Sequence, residues 1–357
     1  LAHRRELIWA SKAFSEQLSD TGVDISGTCG EFIIDLDAVL AGTRKGRGTR
    51  LTIAEAAAGV MDALKDGEEV QATSTGLASL DRLLGGYYRG EYVVIAGRPG
   101  MGKSLIASST LLRVAQKGHG VLFVSLEMTA DALAQRCLSD LAWNSHTPIE
   151  YINIRRKEVP AHDIERLDAA QARLGEAGMV IEEKAGMTVA EIGGMARAQA
   201  QAFKRQGKRL DIVVVDHIGK VKASGRYAGN KVQETGETSN ALAEMAKDLD
   251  CTVIALSQLN RSVESRDRKD KRPTMADLRN SGDIEQDADV IIFLYRAAYY
   301  LENVKFDDDE EKEAARLKML EAKKNEIEII VAKQRAGATR TVRAFVDMGS
   351  NVVRDLA

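Results

Sequence analysis

Gly97-Arg98-Pro99-Gly100-Met101-Gly102-Lys103-Ser104 carries the sharpest chemical signal in the chain. It fits G-x-x-x-x-G-K-[ST], follows a short apolar run and opens a helix from Leu105 onward, the context that a phosphate-binding loop requires. Glycine lets backbone N–H groups wrap a phosphate. In such a loop Lys103 reaches the β/γ-phosphates and the Ser104 hydroxyl ligates Mg²⁺. The helix beginning at Leu105 adds the positive end of its dipole. The chemistry is the binding of a nucleoside triphosphate.

A metal beside such a loop needs an acidic partner. Asp211-Ile-Val-Val-Val-Asp216 places a carboxylate after four apolar residues. Asp216 ends that strand, and ligands of open α/β sheets sit beyond the carboxyl ends of the strands. Asp211 begins the strand and belongs at the opposite edge. Glu127 closes the run Val121–Leu126 and could polarise an attacking water; it equally fits an acidic residue at the start of the next helix. Gln258 ends the run Thr252–Ser257, where a neutral amide can sense a γ-phosphate or orient water. Glu127, Asp216 and Gln258 therefore converge from three strand ends on one loop.

The elements that position them follow from the apolar pattern. Short runs at Tyr92–Ala96, Val121–Leu126, Ile212–Val215, Thr252–Leu256 and Val290–Tyr295 are continuous rather than alternating, as in a sheet covered on both faces. Helical segments lie between them. This predicts an α/β domain with a mainly parallel central sheet. Ile327–Val331 and Thr341–Val346, joined by a turn at Gly337, read as a hairpin on one edge. Ahead of the sheet, residues 4–18 have helical spacing, 21–30 read as a turn-rich break and 31–40 as a second short helix. Residues 42–50 are basic, contain glycine and read as a flexible linker. Thr52-Ile-Ala-Glu55 is a capping box opening a helix to about Lys65, with Ile53, Val60, Met61 and Leu64 on a narrow apolar stripe that must pack on something else.

Composition narrows the class. At 357 residues, 44% of them hydrophobic, the chain can build a large core and one appendage. Cys29, Cys137 and Cys251 share no metal or redox spacing, which excludes a disulfide scaffold and favours a reducing compartment. No apolar run approaches a membrane span. The net charge of −3 excludes a globally basic protein, though a local basic surface suffices for nucleic acid. The first residue is Leu, as expected of a piece of a longer chain.

These residues, with their surroundings, resemble the DnaB family of replicative hexameric helicases, whose motor is a RecA-like domain. The matching text includes Thr75-Gly-Leu-Ala-Ser-Leu-Asp81, Ser125-Leu-Glu-Met128, Ala255-Leu-Ser-Gln-Leu-Asn-Arg261, the run from Asp277 to Asp289, and Ala332-Lys-Gln-Arg335. The resemblance runs from about Thr75 to the end. It implies residues 1–67 as the tail of an N-terminal helical region plus a linker helix, and 68–357 as an ATP-hydrolysing motor. It further implies a homo-hexamer with ATP and Mg²⁺ between subunits, single-stranded DNA in the channel, a helicase loader and primase as partners, and a cytoplasmic location at replication forks. The family's globular N-terminal domain is expected to be missing from this chain. The same core also serves recombinases of the RecA type, and a nucleotide-gated ring that mainly binds partners.

Under the resemblance Glu127 is the catalytic glutamate, Arg136 a nucleotide-contacting arginine, and Lys333 and Arg335 a pair that reaches the γ-phosphate held by the adjacent subunit. By spacing alone that pair is two cations at a strand end. Lys220, Lys222, Arg226 and Lys231 line one candidate DNA loop, whose small residues and single aromatic suit backbone phosphates; a solvated mobile loop is the alternative. The turn Arg279-Asn280-Ser281-Gly282 is the other, gripping a phosphate through Arg279 and backbone amides. The run 261–272, mixed in charge, reads as a flexible solvated segment. His217 and Asn280 depart from the family pattern, which has an aromatic residue and Glu there. Residues 305–324 read as an insertion or a longer helical connection before Ile327, its charges turning from acidic to basic along its length as suits an exposed helix.

Overall fold

The computed structural model describes residues 11–18, 27–30, 32–33, 36, 52–65, 72–223, 227, 229–260, 262–265, 270–304, 309–335 and 337–356. The chain forms two units, one of residues 1–71 with 190–197 and one of 72–189 with 198–357.

In the first unit, residues 11–18 are helical as expected, while 27–30, read as a break, are helical too. Phe14 stacks on Phe32 with ring centroids 4.1 Å apart. Most of the expected helix 31–40 and all of the linker 42–50 lie outside the described residues. The helix Ile53–Lys65 starts at the expected capping box: the Glu55 amide donates to Thr52 Oγ1 at 3.2 Å and the Thr52 amide to Glu55 Oε2 at 2.7 Å. The Thr52 amide and hydroxyl, both donating to Glu55 Oε2, hold the Glu55 carboxyl below its usual range. Ile53 and Leu64 are 87% and 70% exposed, so the apolar stripe is uncovered.

The second unit is built on a mainly parallel sheet. Its strands are β1 (Ala72–Thr73), β2 (Tyr87–Tyr88), β3 (Tyr92–Gly97), β4 (Gly120–Ser125), β5 (Met179–Glu183), β6 (Leu210–Asp216), β7 (Thr252–Gln258), β8 (Val290–Tyr295), β9 (Glu326–Gln334), β10 (Thr341–Asp347) and β11 (Val352–Asp355). β1 and β2 pair only with each other. The other nine form one sheet in the order β11-β10-β9-β8-β3-β7-β6-β4-β5. From β8 to β5 every pairing is parallel; β9, β10 and β11 add antiparallel strands at one side. Every residue of β3, β4 and β8 is buried, as their continuous apolar runs predicted.

Two expectations are corrected. The hairpin β9–β10 is not the edge of the sheet, because β11 covers β10. β5, missing from the strand reading, is a half-buried edge strand ending in Glu182 and Glu183, so it lacks the continuous apolar signature. The expected helix before β9 is present as Glu310–Lys323, capped by Asp309 and running from an acidic first turn to Lys323. Residues 305–308 lie outside the described residues. Asp211 stands at the amino end of β6, where it accepts from the Gly120 amide at 3.2 Å and lies 3.1 Å from His119 Nδ1.

The Thr75–Asp81 segment braces the loop-bearing helix Lys103–Gln116. Asp81 accepts from Ser74 Oγ and from the Thr75 amide and hydroxyl at 2.6–2.7 Å. Gly76 lies so close that a Cβ there would be 2.5 Å from the Thr110 carbonyl oxygen, which is why that turn carries a glycine.

Candidate nucleotide site

The loop 98–102 leaves β3 at Gly97 and enters the helix Lys103–Gln116. Gly100 (φ +82°) and Gly102 (φ +87°) are left-handed, a backbone that side-chain-bearing residues rarely adopt. A Cβ on Gly100 would also stand 2.7 Å from the Tyr299 ring. The helix thus starts directly at the loop, its first N–H groups facing out without intrahelical partners. Pro99 and buried Met101 complete the turn.

Lys103 Nζ donates to the carbonyl oxygens of Gly97 (2.9 Å) and Arg98 (3.4 Å), folded across the loop. Burial pushes its ammonium down from the ordinary lysine range, while Asp216 and Glu127 pull it back up. Ser104 Oγ donates to Asp216 Oδ2 at 2.7 Å, so the two expected metal ligands are in contact. Asp216 is 3% exposed. Burial raises its carboxyl above the usual range; the Ser104 hydrogen bond, His217 and Lys103 act against this, and Glu127 adds to it. A hydroxyl and a desolvated carboxylate are hard oxygen donors that suit Mg²⁺, which commonly takes one or two protein ligands with phosphates and water. Among the described residues no cluster of three His, Cys, Asp or Glu forms an all-protein metal cage.

Register brings the remaining residues to the same end of the sheet. Gln258 pairs with Gly97 across β3 and β7, and Ser125 pairs with Asp216 across β4 and β6. Glu127 follows two residues after Ser125 and is exposed. The helix after it begins only at Ala130, capped by Thr129, with Glu183 Oε2 accepting from the Ala130 amide at 2.7 Å. Other residues therefore serve the helix N-terminus, and Glu127 stands ahead of it over the loop's end of the sheet. Arg136 lies on this helix, 4.5 Å over the Tyr151 ring, and donates to Asn351 Oδ1 at 3.3 Å. Asn351 in turn donates to Ser108 Oγ of the loop-bearing helix at 2.9 Å.

The side chain of Arg98 turns into the protein. It donates to the Leu259 carbonyl at 2.9 Å and pairs with Glu264 at 2.9 Å. The run 261–272, read as solvated and flexible, is thus tied at two points: Glu264 is anchored on the loop, and Arg272 is held by both oxygens of Glu328 at 2.6 Å. Arg261 and residues 266–269 lie outside the described residues.

Lys333 and Arg335 are not with the others. Lys333 is the penultimate residue of β9 and Arg335 just follows the strand; β9 runs antiparallel to β8, so they lie at the amino end of the parallel strands. Lys333 Nζ donates to the carbonyls of Glu285 and Ala288, both at 2.7 Å, and Arg335 Nη1 pairs with Asp289 Oδ1 at 2.9 Å. Burial and the Arg335 charge lower the Lys333 ammonium.

Of the candidate DNA residues, Lys220 and Lys222 are exposed. The Lys222 amide donates to the Met187 carbonyl at 2.8 Å. Lys231 opens the helix Lys231–Leu249 and pairs with Glu234 at 2.8 Å. Arg226 lies outside the described residues. Arg279 and Asn280 fall in the 3₁₀ segment Met275–Ser281, and Gly282 opens the next helix. The two segments are neighbours: the helices that follow them touch where Gly236 meets Asp283, leaving no room for a Cβ. His217 accepts from the Gly219 amide at 2.9 Å.

Sequence reasoning missed Arg296, Tyr299, Asn351 and the role of Asp289. Buried Arg296 donates to the Gly100 carbonyl at 3.4 Å and Tyr299 packs on Gly100, closing the loop from behind. No periodicity marks either. Asn351, at φ +55°, carries only the weak hint that Asn tolerates left-handed backbone.

A phosphate-binding loop at the carboxyl end of a mainly parallel sheet, with Ser, Asp, Glu and Gln around it, defines a RecA-like P-loop α/β domain. The chain belongs to the family of the DnaB-like helicase C terminal domain, whose model matches residues 72–351. It is 38% identical over 284 residues to the replicative DNA helicase DnaB of Geobacillus stearothermophilus, covering 79% of this chain and 56% of that one. It is 31% identical over 363 residues to the replicative DNA helicase DnaB of Helicobacter pylori, covering 95% of this chain and 71% of that one. The chain spans about half the length of the first of these. Among solved structures, a DnaB-like replicative helicase, described with its interactions with primase, superposes with a TM-score of 0.77 at 28% identity, over 99% of this chain and 76% of that one. A separately solved ATPase domain gives 0.73 at 31% identity, over 87% of this chain and all of that one. No helix among the described residues is long and apolar enough to cross a membrane.

Proposed function

We propose that this chain is the ATP-hydrolysing motor portion of a replicative DNA helicase, working on single-stranded DNA as a hexameric ring. One observation carries the reading: the site is divided between the two ends of the sheet. Gln334 pairs with Val290, which is level with Val93 on β3. Gly97 lies four residues further along β3, about 13 Å at 3.3 Å per residue, and β8 and β3 both stand between the hairpin tip and β7. Lys333 and Arg335 point away from their own loop's end of the sheet. Their natural target is the loop of a neighbouring copy.

In that arrangement Lys103 and the loop amides hold the phosphates. Ser104 and Asp216 would hold Mg²⁺, which supplies charge neutralisation on the phosphates when bound. Glu127 accepts the proton of the attacking water, Gln258 orients it, and Arg136 contacts the nucleotide. Lys333 and Arg335 of the adjacent subunit stabilise charge on the transferring phosphoryl group, which ties turnover to subunit position. Lys220, Lys222, Arg226, Lys231 and the Arg279–Gly282 turn supply phosphate contacts to the DNA strand. Within an N-terminal region 1–67 ahead of a motor 68–357, the uncovered stripe of the helix Ile53–Lys65 docks on the neighbour. A helicase loader and a primase are the protein partners, and replication forks in the cytoplasm the place of action.

ATP hydrolysis measured against protein concentration, with and without single-stranded DNA, tests this. Specific activity should rise with concentration and again with DNA. Activity independent of both would overturn the reading.

A further inference from the structure

Asp289 occupies a singular place between the two halves of the divided site. It sits at the entry to β8, its side chain 11% exposed, and makes four polar links. Its amide donates to the Tyr92 carbonyl and its Oδ2 accepts from the Tyr92 amide, both at 2.8 Å. Its carbonyl accepts from the Arg335 amide at 3.1 Å, and its Oδ1 takes Arg335 Nη1 at 2.9 Å. Tyr92 is the first residue of β3, the strand whose last residue is Gly97 of the phosphate loop. The preceding residue, Ala288, accepts from Lys333. One short segment thus holds both cations of the hairpin tip and is bound to the strand that carries the loop.

We propose that Asp289 is the positioning residue for Arg335: it sets the guanidinium for the neighbour's phosphate and, through Tyr92, ties that setting to its own subunit's phosphate-loop strand. This rests on the trans reading above. A long side chain at a strand end would otherwise sample many rotamers. Asp289 binds one guanidinium nitrogen and leaves the Arg335 side chain 54% exposed, so further N–H donors stay available. A pair this exposed is weak; it orients the arginine without trapping it, and a phosphate can take over. Glu91 lies in the same cluster: burial raises its carboxyl, Asp289 raises it further and Arg335 lowers it.

The test is a mixing experiment with the full chain. Lys103→Ala subunits lack a working loop but keep Arg335; Arg335→Ala subunits keep the loop. Mixed, they should regain ATP hydrolysis that neither shows alone. Asp289→Asn keeps an oxygen for the Tyr92 amide and removes the ion pair. Placed on the Lys103→Ala subunit, which donates Arg335, it should lower the regained kcat on the order of tenfold with KM for ATP unchanged, since small misplacements of a catalytic group are this costly. Placed on the Arg335→Ala subunit, it should change nothing. An equal loss in both placements would mark Asp289 as a fold residue only, and no loss in either would deny it any role; both overturn the proposal. If the two parent variants fail to complement with Asp289 intact, the trans reading itself falls and this proposal with it.

Discussion

The two ends of the sheet are organised on opposite principles. At the carboxyl end, Ser104 bonds Asp216 and Lys103 folds across its own loop, all within a single chain, and burial shifts Lys103 and Asp216 away from their ordinary titration ranges. At the amino end, Lys333 and Arg335 rest on backbone carbonyls and on one carboxylate, with Arg335 largely exposed. The first group is assembled by folding. The second lies at the far end of the sheet from the phosphate loop and is placed, under the proposed reading, for the loop of a neighbouring copy. A desolvated cluster suits a fixed ligand site; an exposed, lightly tethered arginine suits a partner that arrives and leaves.

The contrast breaks most directly at Lys103. Lys103→Ala should abolish hydrolysis, a loss on the order of 10³-fold or more in kcat, and should also weaken nucleotide binding in a fluorescent-nucleotide titration. Arg335→Ala should lose about 10³-fold in kcat while binding ATP as the parent does; full turnover in this variant would place the arginine outside the reaction. Glu127→Gln should lose about 10²–10⁴-fold in kcat with ATP binding retained, measured by single-turnover hydrolysis. If Glu127 serves the helix instead, only thermal stability should move.

A gentler change probes the candidate DNA surface. Removing both Lys220 and Lys222 as alanines should reduce the slope of log K against log salt for single-stranded DNA by about 1.4, at roughly 0.7 per phosphate contact. ATPase without DNA should stay at the parent level.

The smallest effect concerns the frame. Asp355 of β11 accepts from the Ala78 and Ser79 amides, both at 2.8 Å, capping the helix Ala78–Leu84. Burial pushes its carboxyl up, but the Ser79 and Ala78 hydrogen bonds and the Arg82 charge outweigh it and hold it below the usual range. The stability it contributes is therefore present above the unfolded carboxyl pKa, near 4, and fades as pH falls through the lower folded value. Asp355→Ala should cost about 1 kcal/mol near neutral pH in denaturant unfolding, and the difference from the parent should shrink below about pH 4.

Much of the carboxyl end was legible because its signals are local. The loop glycines, Lys103 and Ser104 are adjacent in the chain, and their spacing specifies left-handed turns and a helix start directly. Asp216 and Gln258 each close an apolar run, so their level on the sheet follows from the run itself. Glu127 was ambiguous in the sequence because it both closes an apolar run and precedes a helix, whose first amides are bonded by Thr129 and Glu183 instead. β5 escaped because an edge strand needs only half of an apolar signature. The anchoring of Glu264 on Arg98 and of Arg272 on Glu328 was hidden because charged residues in a mixed run look solvated until their partners are known.

The amino end was barely legible from spacing. Asp289 and Arg335 lie in separate stretches of chain, and no periodicity links them; the Arg136–Asn351 pair at the carboxyl end escaped for the same reason. The sequence by itself determined the phosphate loop, the residues that end the buried strands and the capped N-terminal helix, since each depends on backbone preferences and apolar spacing within a few residues. Only the tertiary structure decided that β9 runs against β8, and with it that Lys333 and Arg335 face away from their own loop. Strand order and direction come from which buried faces pack together across the whole domain, and nearest-neighbour pattern in the chain does not contain them.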